Sequence, residues 1–370
     1  MERRLPSHKT IQQQIFTHIE PIFDYNNNTT ATEDNEPQSY RTNRSRTLFS
    51  ARPILHTSNT KLNTTTVIAQ DVEFKLCCIT WNMHGINPTR EDVINLLSPH
   101  QNYDIYAIGS EECMRSIAKS FLFSSKSHWE TLLKQYLGRD YVFLRSVTLN
   151  AIHLIVFIKK DIIAHITNVG DNMVKTGFKN LIGNKGGVGV WFNINNVSFL
   201  IVNCHLAAGS KGLSQRNVDF MHIMNNMLPT GKEVNFFVFM GDLNYRVSCG
   251  NPTVVKKLLS EKNYIDLFNY DELVKEKGNG VIRRFEFTEA GINFQPTFKF
   301  KDNTDEYKYD NDNHIPSWTD RILYKIKEPR KIRFDVGIKE YNSMMNVKSS
   351  DHKPVYTVFN ICIINNYINK

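Results

Sequence analysis

The sequence predicts a layered α/β sandwich, in which buried strands are covered on both sides by helices. Three observations lead there. Runs at 74–80, 103–108, 152–158, 188–194, 197–204, 234–240 and 355–363 have strand length and are near-continuous in Val, Ile, Phe and Leu. Strands buried on both faces read this way, whereas a half-exposed strand alternates. Helix-length segments lie between some of these runs, at 114–136 (Ile117, Phe121, Trp129, Leu133) and at 212–228 (Leu213, Val218, Met221, Met224, Leu228). No self-similarity at a period of about 20–50 residues is visible, which argues against a solenoid or propeller.

The elements divide the chain unevenly. Residues 1–68 are rich in Asn, Thr, Ser and Gln, with the runs Asn26–Thr30 and Asn63–Thr66. Such a segment buries too little apolar surface to offset its ordering entropy, so a flexible polar tail is expected. Within it, Ile11, Ile15, Phe16, Ile19, Ile22 and Phe23 suit a short helix, and Arg41, Arg44, Arg46 and Arg52 form a loose basic cluster. A solvated tail is the simpler reading of both, ahead of a membrane- or partner-binding arm. Residues 69–370 are expected to form one catalytic domain.

Of the 370 residues, 41% are hydrophobic and 22% charged, a globular composition that excludes wholesale disorder. The net charge of +8 points to an anionic partner, and nucleic acid, an anionic membrane face and soluble polyphosphates all satisfy it. Six cysteines, Cys77, Cys78, Cys113, Cys204, Cys249 and Cys362, show neither zinc-ligand spacing nor a compact disulfide pattern, so a reducing, cytoplasmic setting is expected. No apolar stretch reaches the roughly 18 residues of a membrane span. There is no secretory signal at the start and no prenylation or retention signal in Tyr367–Lys370, so membrane contact is expected to be peripheral.

Short polar motifs, most of them following an apolar run, are spread along the chain: Thr80-Trp-Asn-Met-His-Gly85, Ile108-Gly-Ser-Glu-Glu112, Gly183-Asn-Lys-Gly-Gly-Val188, Cys204-His-Leu-Ala-Ala208, Gly241-Asp-Leu-Asn-Tyr-Arg246, Pro316-Ser-Trp-Thr-Asp-Arg321 and Ser350-Asp-His-Lys-Pro354. Their residue types are those that metal-assisted phosphate hydrolysis requires. The attacked phosphoryl group is anionic, so a site must neutralise it, aim a water in line and stabilise the leaving oxygen. Asn82 and Glu112 leave strands, Asp242 and Asn244 follow the very apolar 234–240 run, and Asp351 and His352 precede the last strand. Carboxylates, amides and imidazoles suit Mg²⁺ better than they suit a thiolate zinc site. Singly, each has a duller explanation. An Asn after a strand is commonly a turn residue, Gly183–Gly189 reads as a turn, His205 and Asp320 as satisfied polar residues near the core, and Trp318 as a packing residue.

Taken together, and with Pro296-Thr-Phe-Lys299, these motifs resemble those of the inositol polyphosphate 5-phosphatases of the endonuclease/exonuclease/phosphatase superfamily, over about residues 70–365. The resemblance implies two central mixed β-sheets covered by helices, with a Mg²⁺ site at the strand ends. It implies Glu112 as principal metal ligand, with Asn82 beside it and Asp351 close by. Asp242 would orient or deprotonate the attacking water, helped by Asn244 on the phosphate. His352, oriented by Asp320, would contact the scissile phosphate, and His205 would donate to it. Asn184, Lys185, Arg246, Lys299 and Arg321 would line a basic cleft. The implied substrate is a phosphoinositide lipid or a soluble inositol polyphosphate, met at the cytosolic membrane face or in solution, with no nucleic acid expected.

The chain departs from the family's pattern in three places. Phe298 stands where the family carries Tyr, and Asp312-Asn-His-Ile-Pro316 stands where it carries Lys-x-Arg-x-Pro, within a segment that also holds Asp302, Asp305, Glu306 and Asp310. The family reads the 4-phosphate with that Tyr and two lysines, so Phe298, Asp312 and His314 predict weakened 4-phosphate recognition unless Lys301 or Lys308 compensates. Glu111 stands where Gln usually precedes the metal-binding Glu, either to tighten Mg²⁺ or to face solvent. The competing functions are a nuclease of the same superfamily, disfavoured by the Phe294-Gln-Pro-Thr-Phe-Lys299 and Pro-Ser-Trp-Thr-Asp-Arg motifs, and a catalytically silent lipid-binding scaffold, disfavoured because every reactive position is filled.

Overall fold

In β1 (Val72–Asn82) the two faces of one strand serve two different cores. Alternate side chains of a strand point to opposite sides. Phe74, Leu76 and Cys78 enter a core that also takes residues of a second sheet, while Cys77, Ile79 and Trp81 enter a separate one beneath helices. Both sets are apolar because both sides are covered, which is why the run has no alternation from Leu76 onward, whereas Glu73 and Lys75 nearer its start are exposed. The computed structural model describes residues 71–100, 102–113, 125–176, 185–228, 233–309, 315–330 and 332–364. The expected tail over 1–68 lies outside them.

One sheet has six strands in the order β10 (Arg333–Ser343), β11 (Val355–Ile364), β1, β2 (Ile105–Glu111), β4 (Ile152–Lys159) and β3 (Tyr141–Leu149). The other has five: β5 (Ile166–Lys175), β6 (Gly186–Ile194), β7 (Val197–His205), β8 (Phe236–Asp242) and β9 (Asp320–Ile326). Phe192, Phe199, Ile201, Val238 and Met240 of the second sheet meet Leu76, Ile105, Leu154 and Val156 of the first in the shared core. Helices α1 (Arg90–Leu97) and α2 (Ser125–Leu137) cover the far side of the six-stranded sheet through Val93, Leu96, Trp129 and Leu133. Helix α3 (Leu213–Asn226) covers the far side of the five-stranded one through Phe220 and Ile223. The result is the layered α/β sandwich with two mixed sheets. Three short helices, α4 (Pro252–Ser260), α5 (Tyr264–Phe268) and α6 (Glu272–Gly278), lie between β8 and β9 in sequence.

Each sheet holds one parallel pair, β1 with β2 and β7 with β8, and antiparallel neighbours elsewhere. This topology positions the site. Parallel strands end at the same edge, so Asn82 pairs with Glu111 and His205 with Asp242. An antiparallel neighbour begins where its partner ends, which brings Asp320 opposite Asp242 and starts β11 opposite the end of β1.

All seven apolar runs form strands, and they are the interior strands of both sheets. The four that the apolar runs did not reveal, β3, β5, β9 and β10, are the four edges. Edge strands β5 and β10 are exposed over much of their length, and their polar residues break the pattern. Three of the edges also carry register shifts, in β3, β5 and β10, of the kind that blunts an open edge against pairing with another chain. The expected helix at 114–136 appears as α2 from Ser125, with 114–124 outside the described residues, and Val218 of α3 faces solvent rather than the core. Among the described residues no helix is long and apolar enough to cross a membrane.

Candidate active site

Asp242 ends β8, and the backbone before it is special. Gly241 sits at φ +138°, and a Cβ there would lie 1.9 Å from the Cys204 carbonyl oxygen, so only glycine lets β8 approach β7 while turning Asp242 to the edge. The carboxylate is 2% exposed. Its Oδ2 accepts from Asn82 Nδ2 at 2.9 Å and lies 3.2 Å from His205 Nε2, and its Oδ1 accepts from the Asn244 backbone N–H at 3.0 Å. Burial works against its charge, but His205, His352 and Lys185 outweigh burial and hold the carboxyl well below the usual carboxylate range.

Beside it lies a histidine–carboxylate pair. His352 Nδ1 donates to Asp320 Oδ2 at 2.9 Å, and that oxygen also accepts from the hydroxyls of Thr297 at 2.7 Å and Thr319 at 2.9 Å. Burial alone would discharge His352. Asp320, with Asp242 and Asp351 farther off, reverses this and raises it to about 9, so the imidazole is doubly protonated at neutral pH. Ser350 locks the loop in place, donating to the Asn82 carbonyl at 2.7 Å and accepting from the His352 N–H at 3.2 Å.

On the other side, the Lys185 amine contacts His205 Nε2, the same nitrogen that faces Asp242. Burial pushes Lys185 down, and burial together with Lys185 pushes His205 down against the pull of Asp242. Arg246 donates to the Asn244 side-chain oxygen at 2.5 Å and to its carbonyl at 3.1 Å, and its guanidinium lies 4.6 Å from the centre of the Phe298 ring. The opposite neighbour of Phe298 is His352, with ring centres 4.3 Å apart. A cavity of about 280 Å³ opens beside Arg246, bounded by Ser210, Ser248, Cys249 and Ile315.

Two clusters offer donors to a cation. Asp242, Asp320 and His352 bring ligand atoms within 4.8 Å of one another, but Asp320 is spent on His352 and two threonines, so that cluster is already satisfied. Asp351 differs: it is 2% exposed, and its Oδ1 has no hydrogen-bond partner among the described residues. A buried, unsatisfied carboxylate oxygen facing the Glu112 region is what an oxygen-binding divalent cation would complete. Glu112, Asp351 and, beside them, Asn82 therefore fit the group.

The structure thus gathers Asn82, Glu112, Lys185, His205, Asp242, Asn244, Arg246, Lys299, Asp320, Asp351 and His352 at one edge. Lys299 meets Asp351 at 3.0 Å rather than standing free in the cleft. Arg321 does not line the cleft. It is fully enclosed, bound to Asp271 at 3.0 Å and to Glu289 at 2.7 Å, where a buried cation between two buried carboxylates braces the β9 end. Asn184, Asp312 and His314 lie outside the described residues. Glu111 takes neither expected course. It is fully buried, accepting from the Thr80 hydroxyl at 3.0 Å, and burial, with Asp242 and Asp320 nearby, raises its pKa well above the ordinary value. Thr297, Thr319 and His84 were not singled out from the sequence, although all three lie inside the quoted motifs.

In this two-sheet fold with a buried polar set at the strand ends, residues 79–358 match the endonuclease/exonuclease/phosphatase family 2. The chain is 30% identical over 286 residues to the type IV inositol polyphosphate 5-phosphatase 11 of Arabidopsis thaliana, covering 75% of this chain and 79% of that protein. It is 32% identical over 305 residues to the type II inositol 1,4,5-trisphosphate 5-phosphatase of Mus musculus, covering 78% of this chain but only 30% of that longer protein. The crystal structure of the inositol polyphosphate 5-phosphatase domain of SPsynaptojanin, in complex with inositol (1,4)-bisphosphate and a calcium ion, superposes with a TM-score of 0.70 at 28% identity, over 81% of this chain and 88% of that one. The chain belongs to the inositol polyphosphate 5-phosphatase family.

Proposed function

We propose that this protein is a Mg²⁺-dependent phosphomonoester hydrolase that removes the 5-phosphate from phosphoinositides or soluble inositol polyphosphates. The observation that carries this reading is Asp242, a buried carboxylate held ionised by surrounding cationic and imidazole groups where the central strands of the second sheet end. It points the attacking water at phosphorus. Its low proton affinity suits orienting that water more than retaining its proton. The water oxygen bonds to phosphorus, the bond from phosphorus to the ring oxygen breaks, and inorganic phosphate and an inositol hydroxyl result. His352, its Nδ1–H held by Asp320, presents the other nitrogen as a charged donor to a phosphate oxygen, and His205 with Lys185 meets a second. Asn244 fixes both Asp242 and Arg246. A divalent cation held by Glu112 and Asp351, with Asn82 beside them, would neutralise phosphoryl charge.

Recognition of a 4-phosphate is weak in this reading. Phe298 presents only ring atoms between Arg246 and His352, and Lys299 is drawn to Asp351. The net charge of +8 favours an encounter with an anionic lipid face on the cytosolic side.

The test is Mg²⁺-dependent phosphate release from phosphatidylinositol 4,5-bisphosphate, the 3,4,5-trisphosphate, a 3,5-bisphosphate, soluble inositol 1,4,5-trisphosphate and an abasic DNA duplex, with Asp242→Asn as the blank. We expect release from the 5-phosphates, reduced by about 10²–10⁴-fold in the variant, without strong preference for 4,5-bisphosphates. Cleavage of the duplex alone would assign a nuclease, and silence on all five substrates a scaffold.

A further inference from the structure

One titratable side chain at the cation site has no part in the chemistry above. His84 lies in the turn after β1, at φ +48°, with its backbone N–H donating to Asn82 Oδ1 at 2.9 Å. The same turn is tied to the end of β2, because Met83 N–H donates to the Glu111 carbonyl at 2.8 Å and Gly85 N–H to the Glu112 carbonyl at 2.9 Å. The imidazole is thus carried by a turn that leaves β1 and is bonded to the end of β2, where Glu112 stands. Its Nδ1 lies 3.4 Å from Asp351 Oδ1 and 3.9 Å from Glu112 Oε2.

Those distances suit neighbouring ligands of one ion. Two donor atoms each about 2.1 Å from a metal are roughly 3.0 Å apart at a right angle and roughly 3.4 Å apart at the tetrahedral angle. The nitrogen matches one carboxylate already and needs an adjustment of some tenths of an ångström toward the other. Asp351 Oδ1, the oxygen nearest the imidazole, is the one left without a hydrogen bond, while Oδ2 of the same carboxylate is held by Lys299 at 3.0 Å. The side chain of His84 is 34% exposed, so its approach to an ion entering from the cleft is open.

We propose that His84 Nδ1 is a ligand of the divalent-cation site, which makes it a mixed imidazole–carboxylate site that holds Mn²⁺ more tightly than Mg²⁺. The proposal rests on the reading of Glu112 and Asp351 as the cation-binding carboxylates. Its chemical basis is donor type: Mg²⁺ favours oxygen and sheds water reluctantly, whereas Mn²⁺, a first-row transition ion, accepts a ring nitrogen beside its oxygen ligands. A site of carboxylates and amides alone, which suits both ions, would have less of this bias.

The experiment uses the full chain, freed of metal by chelation, and the metal ions alone as probes. Free Mn²⁺ is followed by electron paramagnetic resonance in wild type, His84→Asn and Glu112→Gln, with Mg²⁺ as competitor and pulsed spectra to detect nitrogen bound to Mn²⁺. Asparagine tolerates the left-handed backbone, so the first variant keeps the turn. Wild type should hold Mn²⁺ at least about tenfold more tightly than Mg²⁺ and show nitrogen coupling. His84→Asn should lose that coupling and about tenfold of the Mn²⁺ affinity while keeping its Mg²⁺ affinity. Nitrogen coupling that survives in His84→Asn, or unchanged Mn²⁺ affinity there while Glu112→Gln binds weakly, overturns the role of His84 alone. Binding unchanged in Glu112→Gln as well, or no Mn²⁺ binding in wild type, overturns the cation site and the proposal with it.

Discussion

At His352 a buried imidazole carries a charge that burial alone would remove, and the residue responsible is Asp320. The dependence can be read directly. In Asp320→Asn, burial is no longer opposed by the nearest anion, so the His352 titration, followed by NMR, should fall from about 9 to near or below its ordinary value of about 6.5. The sign for stability follows from linkage. A pKa raised on folding contributes stability that is complete below about 6.5 and is lost as pH rises through about 9, and the variant should lack that loss. A titration midpoint that stays near 9 in the variant would show that Asp242 and Asp351 suffice. Most of the residues gathered at the candidate site were legible because each occupies a short polar motif, commonly beside an apolar run. Arg321 was misplaced because a motif position does not say which way a side chain turns, and in this fold it turns inward to Asp271 and Glu289.

The elements act through their ends. The turn from β8 into the Asp242–Arg246 segment depends on Gly241, whose added Cβ would meet the backbone of the neighbouring strand rather than a side chain that can move aside. Gly241→Ala should therefore cost about 3 kcal/mol or more in urea unfolding. Gly138→Ala is the matched comparison, since Gly138 also has positive φ, +69°, but open space around it, and should cost only about 1 kcal/mol. Equal costs at both positions would mean that backbone conformation, not the close approach of β7 and β8, is what Gly241 serves. Helix α1 shows the same economy at its start: Thr89 and Asp92 form a capping box, and Asp92 also accepts from Ser349 at 2.6 Å, which ties the loop carrying Asp351 and His352 to the helix.

Across the whole molecule, the two sheets are joined by more than apolar packing. Asn203 of β7 donates to the His153 carbonyl of β4 at 3.1 Å, and Gly109 leaves the space it occupies, since a Cβ there would lie 2.2 Å from the Asn203 side chain. Glu111 lies beside this crossing, fully buried. Because burial and the nearby Asp242 and Asp320 raise its carboxyl well above the ordinary value, the folded protein keeps a proton that the unfolded chain releases above about pH 4.3. Stability should fall as pH rises past that point, by on the order of 1 kcal/mol per pH unit until Glu111 ionises. Glu111→Gln, unfolded with a chelator present, should remove that slope and exceed wild type more at pH 8 than at pH 5. Parallel pH dependences for the two proteins would mean that Glu111 is not held neutral.

The sequence by itself determined the layered fold, the seven interior strands and the polar residue types that the strand ends bring together. A strand covered on both faces must be apolar along its whole length, and residues that handle a phosphate must be polar at its end. It left the four edge strands unseen, because an edge can be polar wherever water reaches it and its pairing comes from the neighbour rather than from its own side chains. Only the tertiary structure decided which polar residues face the cleft. Glu111 and Glu112 are adjacent in the chain, yet one is enclosed between the sheets and the other reaches the His84 imidazole at the proposed cation site. His84 reads as a turn residue until the parallel pairing of β1 with β2 and the antiparallel return of β11 bring Glu112 and Asp351 to its ring. Strand order is set by contacts between residues far apart in sequence, and it fixes the direction in which each of these side chains points.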